Sequence, residues 1–352
     1  MFESLVISFL ISIIGTFISI YFFINFSEKF GLIDYPSDRK VHKRPIPKIG
    51  GISMVFAFLI VFIYYLIFNH IEWPFSYFEF GLFLSTMLII LAGVLDDFYT
   101  ITAYKKFLFQ FLAAMILISI DFKFIFNTGQ TSYVDFLLSN ILTVIYIVGV
   151  TNSINLIDGL DGLVSHIYII IAVAFMSFAI ILGLNDIYFY LFVPFIAATL
   201  AFLRFNRFPA KIFLGDTGSL LMGWSFACFS IFFSQQVIFG LSLLVPFILL
   251  GLPISDTLIV MSKRFYDSGD EVFIVRFKSM FKADKSHIHH LILRSGFSIN
   301  KTVYIICSIV LLNVVFSFIS IFYNYKVVLV GFLFMVFFLT FFARKYFSKF
   351  YI

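Results

Sequence analysis

Five polar clusters interrupt an otherwise apolar chain, and their residue types suit work on phosphates. TNSINLIDGLDGLV (151–164) sets Asn152, Asn155, Asp158 and Asp161 three apart, with Gly159 and Gly162 behind the aspartates. Three-residue steps drift around an α-helix, so these four cannot share one face, and a break or tightened turn is expected there. LAGVLDDFYTITAYKKF (91–107) puts Asp96 beside Asp97 at a helix C-terminus. Adjacent carboxylates that oppose the helix dipole call for a cation or a raised pKa. RFNRFPAKIFLGDTGSLLMG (204–223) frames Asp216 with Gly215 and Gly218 at a helix start. Such a start presents N–H groups to an anion, and Asp there caps the helix or holds a metal that binds the same phosphate.

The other two clusters are basic. RKVHKRPIPKIGG (39–51) carries Arg44 and Lys48, suited to phosphate capture or to anchoring beside a membrane. DKSHIHHLILRSGF (284–297) holds His287, His289 and His290. On a helix, His287 and His290 would share a face with His289 turned away. Neither a cysteine nor a third ligand at standard spacing supports zinc, so hydrogen bonding to phosphate or proton shuttling is preferred. Taken singly, each cluster also reads as a cap, an anchor or a solvated helix end. Taken together, carboxylates suited to Mg²⁺, basic residues and a glycine-framed helix start point to phosphoryl transfer at a membrane surface.

The elements that must position these groups are membrane helices. Hydrophobic residues make up 62% of the 352 and charged residues 12%, with a mean hydropathy of +1.06. A soluble domain carries about a quarter charged residues. Runs of about 17–25 apolar residues span a bilayer as helices. Eleven candidates are read: 5–25, 50–68, 80–95, 107–121, 137–151, 163–183, 187–203, 218–233, 237–260, 302–322 and 327–343. The expected fold is an all-α polytopic bundle, a single membrane domain over residues 1–352. The first run lacks a basic leader and is read as a retained helix. Cys228 and Cys307 lie within apolar runs and suggest neither disulfide nor metal site.

With eleven spans, all but Lys123 and Lys326 of the 24 basic residues fall on one side. The positive-inside rule then puts the N-terminus outside, and the C-terminus and the loops near 26–49, 96–106, 152–162, 204–217 and 261–301 in the cytoplasm. All five polar clusters lie on that side. A lipid-linked-sugar transporter would instead place its ionisable residues at mid-membrane depth. The segment 265–283 mixes apolar and basic residues, as expected of a stretch lying at the interface or packing on the bundle.

In this order, LDDFYTI, NSINLIDGLDGL, FLGDTGS, PISDTLIVMSKR and DKSHIHHLILRSGF resemble the polyprenyl-phosphate N-acetylhexosamine-1-phosphate transferases of glycosyltransferase family 4. The branch most similar begins O-antigen, enterobacterial common antigen or wall teichoic acid assembly. The resemblance implies attack by undecaprenyl phosphate on a UDP-N-acetylhexosamine, usually UDP-GlcNAc, with release of UMP. It implies Mg²⁺, with Mn²⁺ as an alternative, held by Asp216, with Asp96 or Asp97 as a second ligand. Asp96, Asp97, Asp158 and His290 would be catalytic. Asn152, Asn155, Gly159 and Asp161 would contact the donor, Phe213 would stack on uracil, and Asn206 would lie in the same pocket. Arg44, Lys48 and Lys106 would serve the phosphates, and Arg264, His287 and His289 the sugar-phosphate side. A bacterial inner-membrane location is implied, with no nucleic-acid partner and a homodimer left open. Phospho-MurNAc-pentapeptide transferases carry three consecutive histidines, a run that Ile288 interrupts here. QuiNAc and FucNAc donors stay open as well.

Overall fold

The structure, a computed structural model, describes residues 2–36, 44–68, 76–125, 133–184, 187–237, 241–269, 272–280 and 286–322. The helices are α1 (Phe2–Phe26), α2 (Gly50–Ile67), α3 (Tyr77–Tyr99), α4 (Ala103–Ser119), α5 (Tyr133–Ile157), α6 (Leu163–Leu182) and α7 (Ile187–Asn206). They continue with α8 (Gly215–Gln236), α9 (Leu241–Leu249), α10 (Gly251–Asp267), α11 (Phe273–Ser279), α12 (Ile288–Arg294) and α13 (Ile299–Phe322). Among the described residues, eight helices are long and apolar enough to cross a membrane, or nine spans if the bent pair α9–α10 counts as one. The chain is a multi-pass, all-α membrane protein. The run 327–343, the basic C-terminal tail and Arg39, Lys40 and Lys43 lie outside the described residues.

Two features depart from the expected layout. The run 237–260, read as one span, is two helices bent by 73°. The bend falls where Leu250 and Gly251 join them, and Pro253 then occupies the first turn of α10, where its missing N–H costs nothing. The all-α bundle also carries a short ribbon, β1 (Ile33–Asp34) paired antiparallel with β2 (Ile46–Pro47). Beyond β2, Lys48 forms a parallel bridge to Phe213, and Gly51 N donates to Leu214 O at 2.7 Å. This seam ties the start of α2 to the start of α8.

Helix α8 is the axis of the bundle. Its apolar stretch is 89% buried, and α2, α3 and α5 pack around it. At the bundle's edge α1 buries Ser4, Ser8, Ser12, Gly15, Thr16 and Ser19 while Phe22, Ile14 and Ile18 face outward. Lipid supplies no hydrophobic drive for helix pairing, so small polar residues make the contact. Ser12 Oγ donates to Pro194 O of α7 at 2.8 Å, and Ser19 Oγ to Ser53 O of α2 at 3.0 Å.

Helices α10 and α11 pack together through Phe265, which meets Phe273 edge-on and lies under the Arg276 guanidinium at 4.2 Å. Val272, Phe273 and Ile274 remain exposed at the outer face of this pair.

Candidate active site

The polar clusters converge on one cavity of about 490 Å³ at the ends of α3, α5 and α7 and the start of α8. Its frame is the start of α8. Gly215 adopts φ +74°, a region glycine enters without steric cost, and an added Cβ there would lie 2.8 Å from the Asp97 carboxylate. Asp97, 3% exposed, accepts hydrogen bonds from Asp216 N (2.8 Å), Thr217 N (2.9 Å) and Thr217 Oγ1 (2.6 Å). It therefore caps α8, satisfying N–H groups that the helix leaves unbonded.

Its neighbour Asp96 points the other way, into the cavity. The ammonium of Lys106 on α4 lies 2.8 Å from Asp96 Oδ2 and 2.7 Å from Asp216 Oδ1. The Asp96 and Asp216 carboxylates thus share one ammonium between them. Asn155 Nδ2 donates to Asp216 Oδ1 at 2.7 Å and to Ser219 Oγ at 2.8 Å. Lys48 Nζ donates to Asp97 O at 3.2 Å from the opposite wall. The adjacent acids thus divide their work, Asp97 shaping the helix end and Asp96 facing the cavity.

The expected break in 151–164 is present. Helix α5 stops at Ile157, and α6 begins after Gly162 at φ +74°. Asn155, Asp158, Gly159 and Asp161 all line the cavity. Asn206 pins the break, accepting from Gly162 N at 3.0 Å while donating to Ile212 O at 3.0 Å. The same side chain thereby positions the segment carrying Phe213, which lines the cavity. Burial, then the charges of Asp216, Asp97 and Asp161, push Asp158 up to about 8.

The histidines differ from the expected arrangement. His287 is the N-cap of α12 rather than a residue of its face. Its Nδ1 donates to Asp256 Oδ2 at 2.8 Å, while Asp256 Oδ1 accepts from Ile288 N at 3.0 Å. His289 is buried against Gly159, where any Cβ would collide with its ring. Burial, with His290 and His287 alongside, holds its imidazole well below the usual range, so it is neutral at pH 7. Of the three, His290 alone lines the cavity.

Three further expected contacts fall elsewhere. Asn152 turns to α4 and pairs with Gln110, with its amide also donating to Val148 O at 2.7 Å. Arg264 donates to Met280 O at 2.9 Å and approaches His287 Nε2 at 3.5 Å, supporting the histidine segment from behind. Arg44 is exposed and outside the cavity wall.

Other residues of the site gave little signal. Ser219 and Thr100 line the cavity, and Asp34 reaches it from the ribbon. Asp256 is the plainest omission: a carboxylate within the apolar run 237–260 calls for a partner, and that partner lies 31 residues away. Because Asp256 fixes both the ring and the first turn of α12, Asp256→Ala is expected to lower kcat about tenfold or more. Wild-type kcat at normal expression would show that the histidine segment holds itself.

The site therefore defines a membrane-embedded enzyme whose polar cavity combines carboxylates, lysines and an aromatic ring. The sequence pattern of "Glycosyl transferase family 4" matches residues 79–234. The chain is 33% identical over 309 residues to the probable undecaprenyl-phosphate N-acetylglucosaminyl 1-phosphate transferase of Bacillus subtilis (strain 168), covering 86% of this chain and 81% of that one. It is 30% identical over 307 residues to the decaprenyl-phosphate N-acetylglucosaminephosphotransferase of Mycolicibacterium smegmatis, covering 79% and 72%. Over 251 residues it is 32% identical to a phospho-N-acetylmuramoyl-pentapeptide-transferase of Listeria monocytogenes serotype 4b, covering 65% and 74%. The chain belongs to glycosyl transferase family 4 and is an enzyme of the transferase class.

Proposed function

We propose that this protein transfers a HexNAc-1-phosphate, GlcNAc-1-phosphate foremost, from a UDP-sugar to undecaprenyl phosphate with release of UMP. The Asp96–Lys106–Asp216 cluster beside Phe213 carries this reading, since it pairs phosphate-handling groups with a ring fit to stack on a base. An acceptor phosphate oxygen attacks the β-phosphorus, the bond from that phosphorus to the bridging oxygen breaks, and the electron pair leaves with UMP. The segregation of basic residues supports a cavity open to the cytoplasm, where nucleotide-sugars occur. The bilayer supplies the lipid acceptor.

The donor set suits a divalent cation. Two carboxylates that share one ammonium create a position needing positive charge, and Mg²⁺ takes one or two carboxylates with phosphates and water completing its shell. Among the described residues no group of three His, Cys, Asp or Glu forms a closed cage. Asp216 and Asp96 would hold Mg²⁺, or Mn²⁺, which would neutralise charge on the diphosphate. Lys106 and Lys48 then steady the phosphates, Asn155 keeps Asp216 oriented, and His290 reaches the reacting groups from α12.

Asp158 gives this proposal a pH test. As a neutral carboxyl it adds no repulsion toward a diphosphate, but it ionises as pH rises through about 8. The donor KM is expected to climb across that interval, and Asp158→Asn, which cannot ionise, should flatten the climb. A rise unchanged in the variant would assign it to another group.

The proposal itself is tested by UMP release from a panel of UDP-N-acetylhexosamines with undecaprenyl phosphate and Mg²⁺. UDP-GlcNAc is expected to be the best donor. Turnover confined to UDP-MurNAc-pentapeptide would move the protein to the branch of its Listeria relative. No turnover with any donor would sink the transferase assignment.

A further inference from the structure

A second cavity, of about 520 Å³, adjoins the first, and Asp161 lines both. It lies between the first turns of α6 and α13, the end of α7 and the loop 207–212. Arg204, Arg207 and Lys211 line it, and none of these side chains makes a hydrogen bond or ion pair among the described residues. All three are exposed to solvent, and like charges gathered around one concavity favour an anion between them. Its lining acid, Asp161, has Oδ2 engaged by Ala210 N at 2.9 Å.

The frame that presents these cations is fixed. Lys211 N donates to Phe205 O at 2.8 Å, Asn206 Nδ2 to Ile212 O, and Ala210 N to Asp161. A positive-inside anchor needs charge anywhere along a loop; here the charges face one cavity from a pinned backbone. Tyr304 and Phe208, both exposed, flank it as aromatic residues do at a membrane interface.

We propose that this cavity is an anion subsite, distinct from the reaction site, that takes a phosphate group, free or on a lipid headgroup. Arg guanidinium groups suit phosphate through paired, charge-assisted hydrogen bonds. The loop that would line the phosphate is held by Asp161 and leads directly to Phe213, so the subsite and the reaction cavity share a wall.

The test uses the full chain in phosphatidylcholine nanodiscs, with labelled inorganic phosphate as the probe. Saturable binding is expected, weakened about tenfold or more by the Arg204→Ala/Arg207→Ala double variant. Arg207→Ala alone serves if the double variant unfolds. Lys105→Ala, which removes an exposed cation elsewhere, should leave binding unchanged. Displacement of the probe by phosphatidylglycerol in the disc would identify a lipid headgroup as the source, and persistence would identify a soluble phosphate. Equal weakening by Lys105→Ala would overturn the subsite in favour of bulk surface charge. Stoichiometric displacement by UDP would make the cavity an arm of the reaction site, and loss-free binding in the arginine variants would also end the proposal.

Discussion

Asp216→Asn is expected to lower UMP release about a thousandfold or more while leaving the protein inserted and folded. The carboxylate takes part in two interactions through one oxygen, Lys106 at 2.7 Å and Asn155 at 2.7 Å, and Lys106 ties it to Asp96. An amide keeps the volume but loses the charge, so it cannot balance a cation or hold the ammonium in place. The fold has separate support, because α8 is capped by Asp97 through backbone N–H groups that the substitution does not touch. The measurement pairs initial rates with thermal unfolding in the same detergent. Full activity in the folded variant would remove Asp216 from the metal role.

Polar residues stand out in an apolar chain, which is why the clusters around Asp96, Asp158, Asp216 and His290 are legible from residue types and spacing alone. The break after Ile157 is legible for a geometric reason, since a three-residue spacing cannot stay on one helical face. Side-chain direction is not legible in the same way. Asn152 faces Gln110, His287 faces Asp256 and His289 faces Gly159 because of partners distant in sequence. The bend between α9 and α10 is hidden by composition: Pro246, Gly251 and Pro253 sit in a run apolar enough to read as one span. The two arginines and Lys211 of the second cavity read only as topology signals until the loop's hydrogen bonds put them around a shared space.

The sharpest consequence of the side-chain directions is that Asp96→Ala and Asp97→Ala, one residue apart, should fail for different reasons. Asp96 meets Lys106 at 2.8 Å at the cavity wall and its side chain holds no helix end, so its loss should cut turnover about a hundredfold or more with unfolding near that of the native protein. Asp97 lies among Thr217 Oγ1 and two N–H groups at the start of α8. Its truncation strands buried donors and removes a cap, a loss of about 2–3 kcal/mol. Because α8 is the bundle's axis, that loss should appear as a lower Tm and reduced expression, with activity falling as Asp216 shifts. Asp97→Asn, which keeps an acceptor for these donors, should recover part of the stability, whereas Asp96→Asn should recover little activity. If Asp97→Ala unfolds at the native temperature yet is inactive, its carboxylate acts in the chemistry itself and the cap is incidental.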